Sequence, residues 1–461
     1  MIKSKIPARG WSSSGRKSQK SKILFKRGVY LPMILIMSTL FMAFAVALAT
    51  LATANMRTAT HYERYISSME VAEAGINYYM WHLAHNNTDY CDGGTCSGSP
   101  PYGPFTHEYK DNAGRIVGSY DLYITPPETG EAITQVKAVG KADGSNSLRS
   151  IIADLGMPSF ARYAFLSNTE CWFGDTETTN GPVHSNIGVH FDGTANGIVS
   201  AASSKYTPTA SFGGDGAEHD GVWGNGGPKG FWVFPVPAVD FNRISVDFVD
   251  LKTSAGTGGI SLDDSHSSGY YLRLNSNGTI DIHKVTRERS TGITTTFLRT
   301  ENYPANSIIY VADNVWIDGT ASQSLTVAAE ITQGSRNAII KVKDNLLYST
   351  KDGTIQVGLV SESNIEVPRY AVSNLEIDAA LLSQKGHVWF PYVSGVVKSS
   401  ISIYGAIGTY DYWTWSWVNG SGTVISGYQT TSQTYDPFLT LKPPPQFPTT
   451  GTFSVLSWRE E

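Results

Sequence analysis

The sequence predicts a mainly β protein with one long N-terminal α-helix, in which a helix-on-sheet unit precedes a right-handed parallel β-helix-like domain. Three observations support this fold class. A charge-free apolar run near the start continues into an amphipathic helical pattern. Segments of alternating apolar and polar residues follow, as in half-buried strands. The long remainder consists of short apolar alternations broken by Gly, Asn and Asp, which is typical of stacked β-coils.

Composition narrows the class of protein. The chain has 461 residues, which is too long for one compact core and indicates two or three units. Its formal net charge is −5 and charged residues make up 16%, so the chain as a whole is no nucleic-acid binder. The 45 glycines and 24 tyrosines favour an extracellular β-rich body over a cytosolic α/β enzyme.

The first 56 residues have the charge pattern of a membrane anchor. Residues 1–28 carry basic side chains and no acidic one, whereas residues 29–56 carry no charge and exceed the roughly 20 residues that a membrane-crossing helix needs. The positive-inside rule therefore predicts a cytoplasmic leader, one transmembrane helix and an extracytoplasmic body. A signal peptide cut near Ala54 and a plain anchor are the alternatives.

The helical pattern continues beyond the apolar run. From Ala59 to Leu83, apolar residues recur at three- and four-residue steps, and the opposite face carries Glu70 and Glu73. A helix over residues 30–84 would be roughly 80 Å long. Together with three predicted strands, at residues 115–124, 134–142 and 147–155, its second half would form a helix-on-sheet unit over residues 57–158.

Two stretches of this helix resemble known sequences. Lys26-Arg27-Gly28-Val29-Tyr30-Leu31-Pro32 resembles a prepilin processing site, and Met69-Glu-Val-Ala-Glu-Ala-Gly-Ile-Asn-Tyr-Tyr resembles the Ala-Ala-Glu-Ala-Gly stretch of PilX-like minor type IV pilins and related pseudopilins. The resemblance implies that prepilin peptidase cleaves between Gly28 and Val29. It departs from major pilins, because the mature chain would begin with Val29 instead of Phe and would have Met33 where they have Glu.

That resemblance also implies a function, partners and a location. The chain would be a minor subunit, at the tip or in initiation, of a type IV pilus or a type II secretion-like pseudopilus, and would contribute to assembly and surface adhesion. Its partners would be other pilins, the assembly platform in the inner membrane and prepilin peptidase. It would reside in the inner membrane as a single-pass protein and reach the cell surface when assembled.

The body is expected to span residues 159–436 as a β-helix-like domain, with an irregular β-sandwich as the alternative. An antiparallel insertion is predicted at residues 245–299, with a hairpin turn at Asn277-Gly278. Residues 437–461 form a Pro-rich tail, which we predict to lie along the body as an extended strap. Phe447 and Trp458 would occupy grooves, unless the tail is free.

Cysteines and tryptophans are the candidate site residues. Cys91 and Cys96 lie in a Gly-containing polar loop with four residues between them, which favours a local disulfide over a metal clip. Trp413, Trp415 and Trp417 alternate, so in a strand they would share one face. They would cover a hydrophobic edge, or form an aromatic ledge that stacks on sugar rings or docks a partner pilin.

Other chemistry has weaker signals. A loop with Asp263, Asp264 and His266 could bind calcium, and a stretch with His184, His190 and Asp192 could bind another metal, although solvated surface positions explain both sets. Hydrolase, metalloprotease and phosphate-loop motifs are absent from the sequence.

We therefore expect the protein to have no enzymatic activity, no catalytic residue, no cofactor and no bound metal. A surface polysaccharide or a receptor on a host or neighbouring cell is the expected ligand, and nucleic acid is not. Two alternatives remain from the residues alone: a membrane-anchored β-helical carbohydrate-active enzyme and a stand-alone adhesin.

Overall fold

The computed structural model describes residues 30–127, 133–334 and 336–461. The basic leader and the Gly28–Val29 junction lie outside these residues. The fold is mainly β with one long N-terminal helix and a large β-rich body, as the sequence predicts. Contacts divide the chain into a unit up to Ile66 and a unit from Ser67 to Glu461.

The helices and strands are as follows. The first unit of regular structure comprises α1 (Tyr30–His85), β1 (Tyr102–Lys110), β2 (Ile116–Thr125), β3 (Ile133–Ala142) and β4 (Leu148–Gly156). Short strands follow: β5 (Phe165–Ser167), β6 (Cys171–Phe173), β7 (Thr178–Thr179), β8 (Val183–Ser185), β9 (Val189–Phe191), β10 (Thr194–Ala195), β11 (Val199–Ala201), β12 (Lys205–Tyr206), β13 (His219–Asp220), β14 (Val222–Trp223) and β15 (Trp232–Val233).

The later elements begin with a second helix. They are α2 (Ile244–Gly256), β16 (Ile260–Leu262), β17 (Gly269–Asn275), β18 (Thr279–Arg289), β19 (Gly292–Asn302), β20 (Ile308–Val311), β21 (Val315–Ala321), β22 (Leu325–Ala329), β23 (Ile340–Tyr348) and β24 (Val357–Ser361). The last are β25 (Ile365–Glu366), β26 (Asn374–Ser383), β27 (Val388–Trp389), β28 (Val397–Thr409), β29 (Trp413–Thr414), β30 (Ser416–Val418), β31 (Val424–Tyr435) and β32 (Ser454–Glu460).

Helix α1 is continuous over 56 residues, and its residues up to Arg64 are exposed. The hydroxyls in its apolar part bond back to the helix itself: Ser38 Oγ donates to the Leu35 carbonyl at 3.0 Å, and Thr53 Oγ1 donates to the Ala49 carbonyl at 2.7 Å. Internal hydrogen bonds of this kind satisfy polar groups without water, as hydrocarbon requires. The helix is long and apolar enough to cross a membrane, and it is a candidate membrane anchor.

The last part of α1 packs on an antiparallel sheet of order β1-β2-β3-β4-β32. Ala72 and Ile76 of the predicted apolar stripe are buried against this sheet and Met69 is half-buried, whereas Glu70 and Glu73 are exposed. The sequence pattern predicted this arrangement of the two faces.

Contact between helix and sheet is close because β3 carries Gly140. A Cβ atom at this position would lie 2.3 Å from the Ser68 carbonyl oxygen and 2.4 Å from the Ala72 nitrogen, so the helix backbone rests directly on the strand. Ser68 Oγ accepts a hydrogen bond from the Ala142 backbone N–H at 3.2 Å and donates to the Ser147 carbonyl at 3.0 Å. This pair of bonds fixes the register of the helix on the sheet.

Parallel ladders organise the body. The first ladder has the order β16-β20-β22-β24-β26-β28-β5-β8-β11-β15, and all its pairs are parallel. A second ladder joins β17, β21, β23, β25, β27 and β29, and a third joins β6, β9 and β14. Sandwiches pair their strands antiparallel, so these ladders favour the β-helix-like alternative.

The order of the first ladder shows that the chain enters the body in its middle. The chain first forms β5, β8, β11 and β15, which are one end of the ladder. It then passes through α2 to β16, at the opposite end, and forms the remaining strands back to β28. Strand β28 closes the ladder by pairing Ile407–Thr409 in parallel with Phe165–Ser167. We call this pairing of β28 with β5 the seam.

The antiparallel insertion begins later than predicted. Residues 244–256 form α2, because Ile244, Phe248, Leu251 and Ala255 place one apolar face on the core. The hairpin of β17 and β18 is present with its turn at Asn277-Gly278, and β19 adds a third antiparallel strand. Gly278 has a φ of 87°, which a side chain would strain.

The C-terminal segment joins the body to the first sheet. Phe447 is buried, and its ring lies over Gly358, where a Cβ atom would come within 2.5 Å of it. The prediction that Trp458 occupies a groove is wrong. Its side chain is 58% exposed, because β32 becomes the edge strand of the sheet beside β4. The proline-containing segment therefore ends before β32, and the final residues form a β-strand instead of an extended polyproline strap.

The chain passes between the first sheet and the body twice, and these two segments are hydrogen-bonded to each other. The Phe160 N–H donates to the Pro448 carbonyl at 3.0 Å, and the Thr450 N–H donates to the Pro158 carbonyl at 2.8 Å. The outgoing and returning segments thus form one antiparallel connection.

Ala72→Asp should lower the free energy of unfolding by more than about 3 kcal/mol, because it places an unpaired carboxylate between α1 and β3. Thermal unfolding of the detergent-solubilised full chain measures the effect. Glu73→Gln is the matched control on the exposed face, and its melting temperature should equal that of the parent. An unchanged melting temperature for Ala72→Asp would show that the helix does not dock on this sheet.

Near the returning segment, α2 carries a carboxyl with a perturbed pKa. Burial raises the pKa of Asp247 to about 6, the neighbouring Asp250 adds to the rise, and the Arg243 guanidinium and the Thr449 backbone N–H partly oppose it. In the unfolded chain this pKa is about 3.9. The folded protein therefore loses stability as the pH rises from about 4 to about 6, and the loss is complete above that range.

Asp247→Asn should accordingly raise the melting temperature at pH 8 and leave it unchanged at pH 3.5, since the amide cannot ionise. Melting curves of parent and variant across this pH range measure the difference. Asp175→Asn, at an exposed carboxylate, is the control and should show no such pH-dependent gain. A gain of equal size at both pH values would contradict the assignment to ionisation.

Candidate functional site

The three tryptophans predicted as a ledge do not share one face. The strand breaks at Trp415, which lies between β29 and β30 and is 7% exposed. Trp413 packs its ring against the core, 4.8 Å from the ring of Phe165. Trp417 donates its indole N–H to the Phe390 carbonyl at 2.8 Å. The ledge prediction failed because alternation gives a common face only within an unbroken strand.

Two of these tryptophans instead line a cleft beside the seam. The first ladder runs across the seam, but among the described strands the second ladder ends at β29 and the third begins at β6, with no pairing between them. The break leaves a cleft of about 400 Å³ between the two stacks. Its lining residues come from β5 to β7 and from β29 to β31: Phe165, Trp172, Phe173, Thr176, Glu177, Thr178, Thr179, Trp413, Trp415, Thr431, Ser432 and Gln433.

Polar atoms without partners lie in the wall of this cleft. Thr179 is 2% exposed, and its Oγ1 has no hydrogen-bond partner among the described residues. The same is true of Gln433 Oε1, while Gln433 Nε2 donates to the Ala164 carbonyl at 3.1 Å. A buried polar group without a partner costs about 1–3 kcal/mol. Both atoms are themselves closed to solvent, although Thr179 and Gln433 line the cleft, so a ligand reaches them only if these side chains shift.

A carboxyl also lies in the wall. Glu177 accepts a hydrogen bond from the Gly174 backbone N–H at 2.8 Å. Glu177 is exposed, but the protein atoms around its carboxyl desolvate it in part, and this raises its pKa. The carboxyl therefore binds its proton more readily than an ordinary glutamate does, and the protonated form can both donate and accept hydrogen bonds.

Trp172 is the end of a column of four stacked rings. Its centroid lies 5.5 Å from that of His190, which lies 3.8 Å from Trp223, which in turn lies 3.7 Å from His219, with interplanar angles of 11°, 13° and 13°. The column follows from the parallel register of the third ladder, in which Trp172, His190 and Trp223 occupy equivalent positions. Among the described residues no further ring stacks on Trp172, which is 46% exposed.

Hydrogen bonds hold the column in place. Asp192 Oδ2 lies 3.0 Å from His190 Nε2 and accepts from Trp172 Nε1 at 3.3 Å. Burial alone would raise the pKa of Asp192, but the bonds from Asn225, Trp172 and His190 outweigh it and lower that pKa. The ring of Trp172 is therefore fixed before any ligand arrives.

The residues proposed as metal ligands are not gathered. His184 lies in the first ladder and bonds to Ser200 and Asn186, whereas His190 and Asp192 belong to the ring column. Burial lowers the pKa of His184, which keeps its ring neutral. In the calcium candidate, Asp264 accepts the backbone N–H of His266 as a local turn. Over the described ranges, no group of three His, Cys, Asp or Glu side chains could hold a metal ion.

Cys91 and Cys96 form a disulfide, with Cα atoms 5.0 Å apart. The loop is tied to the end of α1: Asp89 Oδ2 lies 3.1 Å from His82 Nε2, and the Tyr78 hydroxyl donates to Asp92 at 3.0 Å. Burial and the Asp92 carboxylate raise the pKa of Tyr78 to about 12. These contacts give the loop a structural role at the helix terminus.

Sequence reasoning missed Trp172, Glu177, Thr179 and Gln433. Trp172 lies between two apolar residues, Cys171 and Phe173, and this local pattern gives no sign of a site. No local signal marks the other three, because the cleft exists only where two distant parts of the chain meet.

Comparisons with known proteins give little guidance. No family model and no curated protein matches the chain. One solved structure that matches is the competence-associated pilin ComZ from Thermus thermophilus, with 11% sequence identity and a TM-score of 0.31, over 86% of this chain and 97% of that chain. A TM-score of this size does not establish a shared fold.

Trp415→Ala should lower the free energy of unfolding by about 3–5 kcal/mol, because it removes a buried indole from the wall of the cleft and the core behind it. Trp458→Ala is the matched control on an exposed tryptophan and should change the melting temperature little. Thermal unfolding of both variants tests the corrected placement. Equal effects would restore the predicted exposed ledge.

Proposed function

We propose that the chain is a pilin-like, membrane-anchored subunit without enzymatic activity, which assembles into a type IV pilus or a type II secretion-like pseudopilus. One observation carries the proposal: a single helix, Tyr30–His85, has an exposed, charge-free apolar first half and a second half docked on an antiparallel sheet. An isolated membrane anchor has no need to continue into a domain core. A subunit that packs its apolar helix beside other such helices does.

The subunit is a PilX-like minor one, at the tip or in initiation. Met33 stands where major pilins carry a Glu that is thought to pair with the N-terminus of a neighbour. Without that carboxylate, the chain is less suited to repeat along a filament. Its partners are then other pilins and the assembly platform of the inner membrane, and its body contributes to surface adhesion once the assembly reaches the cell surface.

The exposed face of α1 supports an assembly role. Glu70 and Glu73 lie away from the sheet and have no part in the core. Carboxylates on such a face are available to basic groups of an axially shifted copy, and Arg57 and Arg64 are exposed on the same helix. These charges would select the register between subunits more than they would strengthen the contact.

Cleavage by prepilin peptidase between Gly28 and Val29 tests the proposal. Co-expression of the full chain with that peptidase, followed by sequencing of the mature N-terminus, should give a chain that starts with N-methylated Val29. Gly28→Glu should block cleavage, whereas Gly15→Glu, the matched change within the leader, should not. A mature chain that starts after Ala54 would indicate simple secretion and overturn the pilin-like assignment.

A further inference from the structure

We propose that the cleft between β29 and β6 binds a ring of an uncharged saccharide. This inference deepens the adhesive part of the proposed function and rests on it for its biological meaning. The cleft volume of about 400 Å³ lies within the about 300–1,000 Å³ that is usual for small-molecule sites. Three features of the wall identify the ligand class: a fixed aromatic face, unpartnered polar atoms and the scarcity of charge.

The aromatic face is Trp172. One side of its ring is covered by His190, and the hydrogen bond to Asp192 fixes its plane. Trp413 adds a second ring to the wall, held 4.8 Å from Phe165 and 5.6 Å from Phe173. A sugar ring presents C–H groups on its faces, which pack on aromatic rings, and hydroxyls around its edge. Rings that are held before binding lose little conformational entropy when the ligand arrives.

The unpartnered atoms match hydroxyls of the ligand. Gln433 uses its amide nitrogen on the Ala164 carbonyl, so its Oε1 remains as an acceptor. Thr179 Oγ1 can donate or accept, and it is buried in the same wall. Each atom lacks a protein partner among the described residues, and a saccharide hydroxyl, which can both donate and accept, would pair with it once the side chain shifts towards the cleft.

The scarcity of charged side chains in the wall argues against an acidic ligand and against catalysis. Glu177 is the one ionisable carboxyl among the lining residues, and no Lys, Arg or His is among them. An anionic saccharide would meet no compensating cation. Glycoside hydrolysis uses a pair of carboxyl groups on either side of the bond that is cleaved, so the single carboxyl favours binding over cleavage.

The test is a ligand-observed NMR titration of the full chain in a detergent without a sugar headgroup, such as lauryldimethylamine oxide. The probes are cellotetraose and chitotetraose, with tetragalacturonic acid as the charged comparison. We expect saturable binding of at least one neutral probe and weaker or no binding of the acidic one. Trp172→Ala should weaken that binding at least about tenfold, since it removes the stacking face.

Thr179→Val separates binding from folding. The change keeps the shape of the side chain and removes a buried hydroxyl without a partner, so the melting temperature should stay equal or rise while affinity falls about five- to tenfold. Trp458→Ala is the control for loss of an exposed tryptophan away from the cleft and should leave affinity unchanged. A lower melting temperature with unchanged affinity for Thr179→Val would assign Thr179 a purely structural role and overturn the site.

Three other outcomes overturn the inference: no binding of either neutral probe, equal binding by the Trp172→Ala variant, and tighter binding of the acidic probe. None of these depends on processing or filament assembly, because the titration uses solubilised protein. If the N-terminus is not processed at Val29 but neutral saccharide binds at the cleft, the pilin assignment fails while the binding site stands. If the mature chain starts at Val29 but no saccharide binds, the binding site fails while the pilin assignment stands.

Discussion

The body depends on one pairing, in which the end of β28 lies beside β5. The backbone register Ile407–Thr409 with Phe165–Ser167 joins the strands that the chain makes first to those it makes last. Ser167 Oγ reinforces it by donating to the Asp411 carbonyl at 2.8 Å, across a sequence separation of 244 residues. Without this seam the strands from β5 to β15 would have an open end, and the buried side chains on either side would no longer form one core. Pairing across so long a separation is entropically costly to form, because the intervening chain must be ordered before the seam can close.

The seam also explains why the cleft exists. A solenoid stacks complete coils, and here the chain starts in the middle, so two separate stacks must meet. Strands of the first ladder align across the meeting point, whereas β29 and β6 do not pair. Aromatic rings that would otherwise be covered by the next coil are left in the wall, among them that of Trp172, which is 46% exposed. The candidate binding site is thus a direct consequence of the order in which the strands are connected.

Whether a feature could be predicted from the sequence depends on how far apart in the chain its interacting residues lie. The long helix, three strands of the first sheet and the β17–β18 hairpin have local periodicities, and they were predicted within a few residues. Helix α2 was not predicted, because its 13 residues follow an irregular stretch and fall within the predicted antiparallel insertion.

The remaining errors involve distant partners. Strand β32 joins a sheet whose other members lie far earlier in the chain. It bonds to β4 through Ser457 Oγ and Asp154 Oδ2, for instance, which are separated by 303 residues. Trp458 is exposed for this reason. The tryptophan ledge failed since the break at Trp415 depends on how β31 returns beside it, with the Tyr428 N–H donating to the Trp415 carbonyl at 2.9 Å. Alternation within a segment cannot reveal where a neighbour interrupts it.

The first sheet and the body are connected in a way that suits a displayed body. A single linker would let the body swing relative to the sheet, because one strand of backbone resists neither bending nor rotation. Here the chain leaves after β4 and returns before β32, and the two segments are bonded to each other at Phe160–Pro448 and Thr450–Pro158. Since β32 is itself paired with β4, a force on the body is shared between two covalent connections and a ladder of backbone hydrogen bonds. The sheet and the body are therefore held together both by the chain itself and by backbone hydrogen bonds between its outgoing and returning segments.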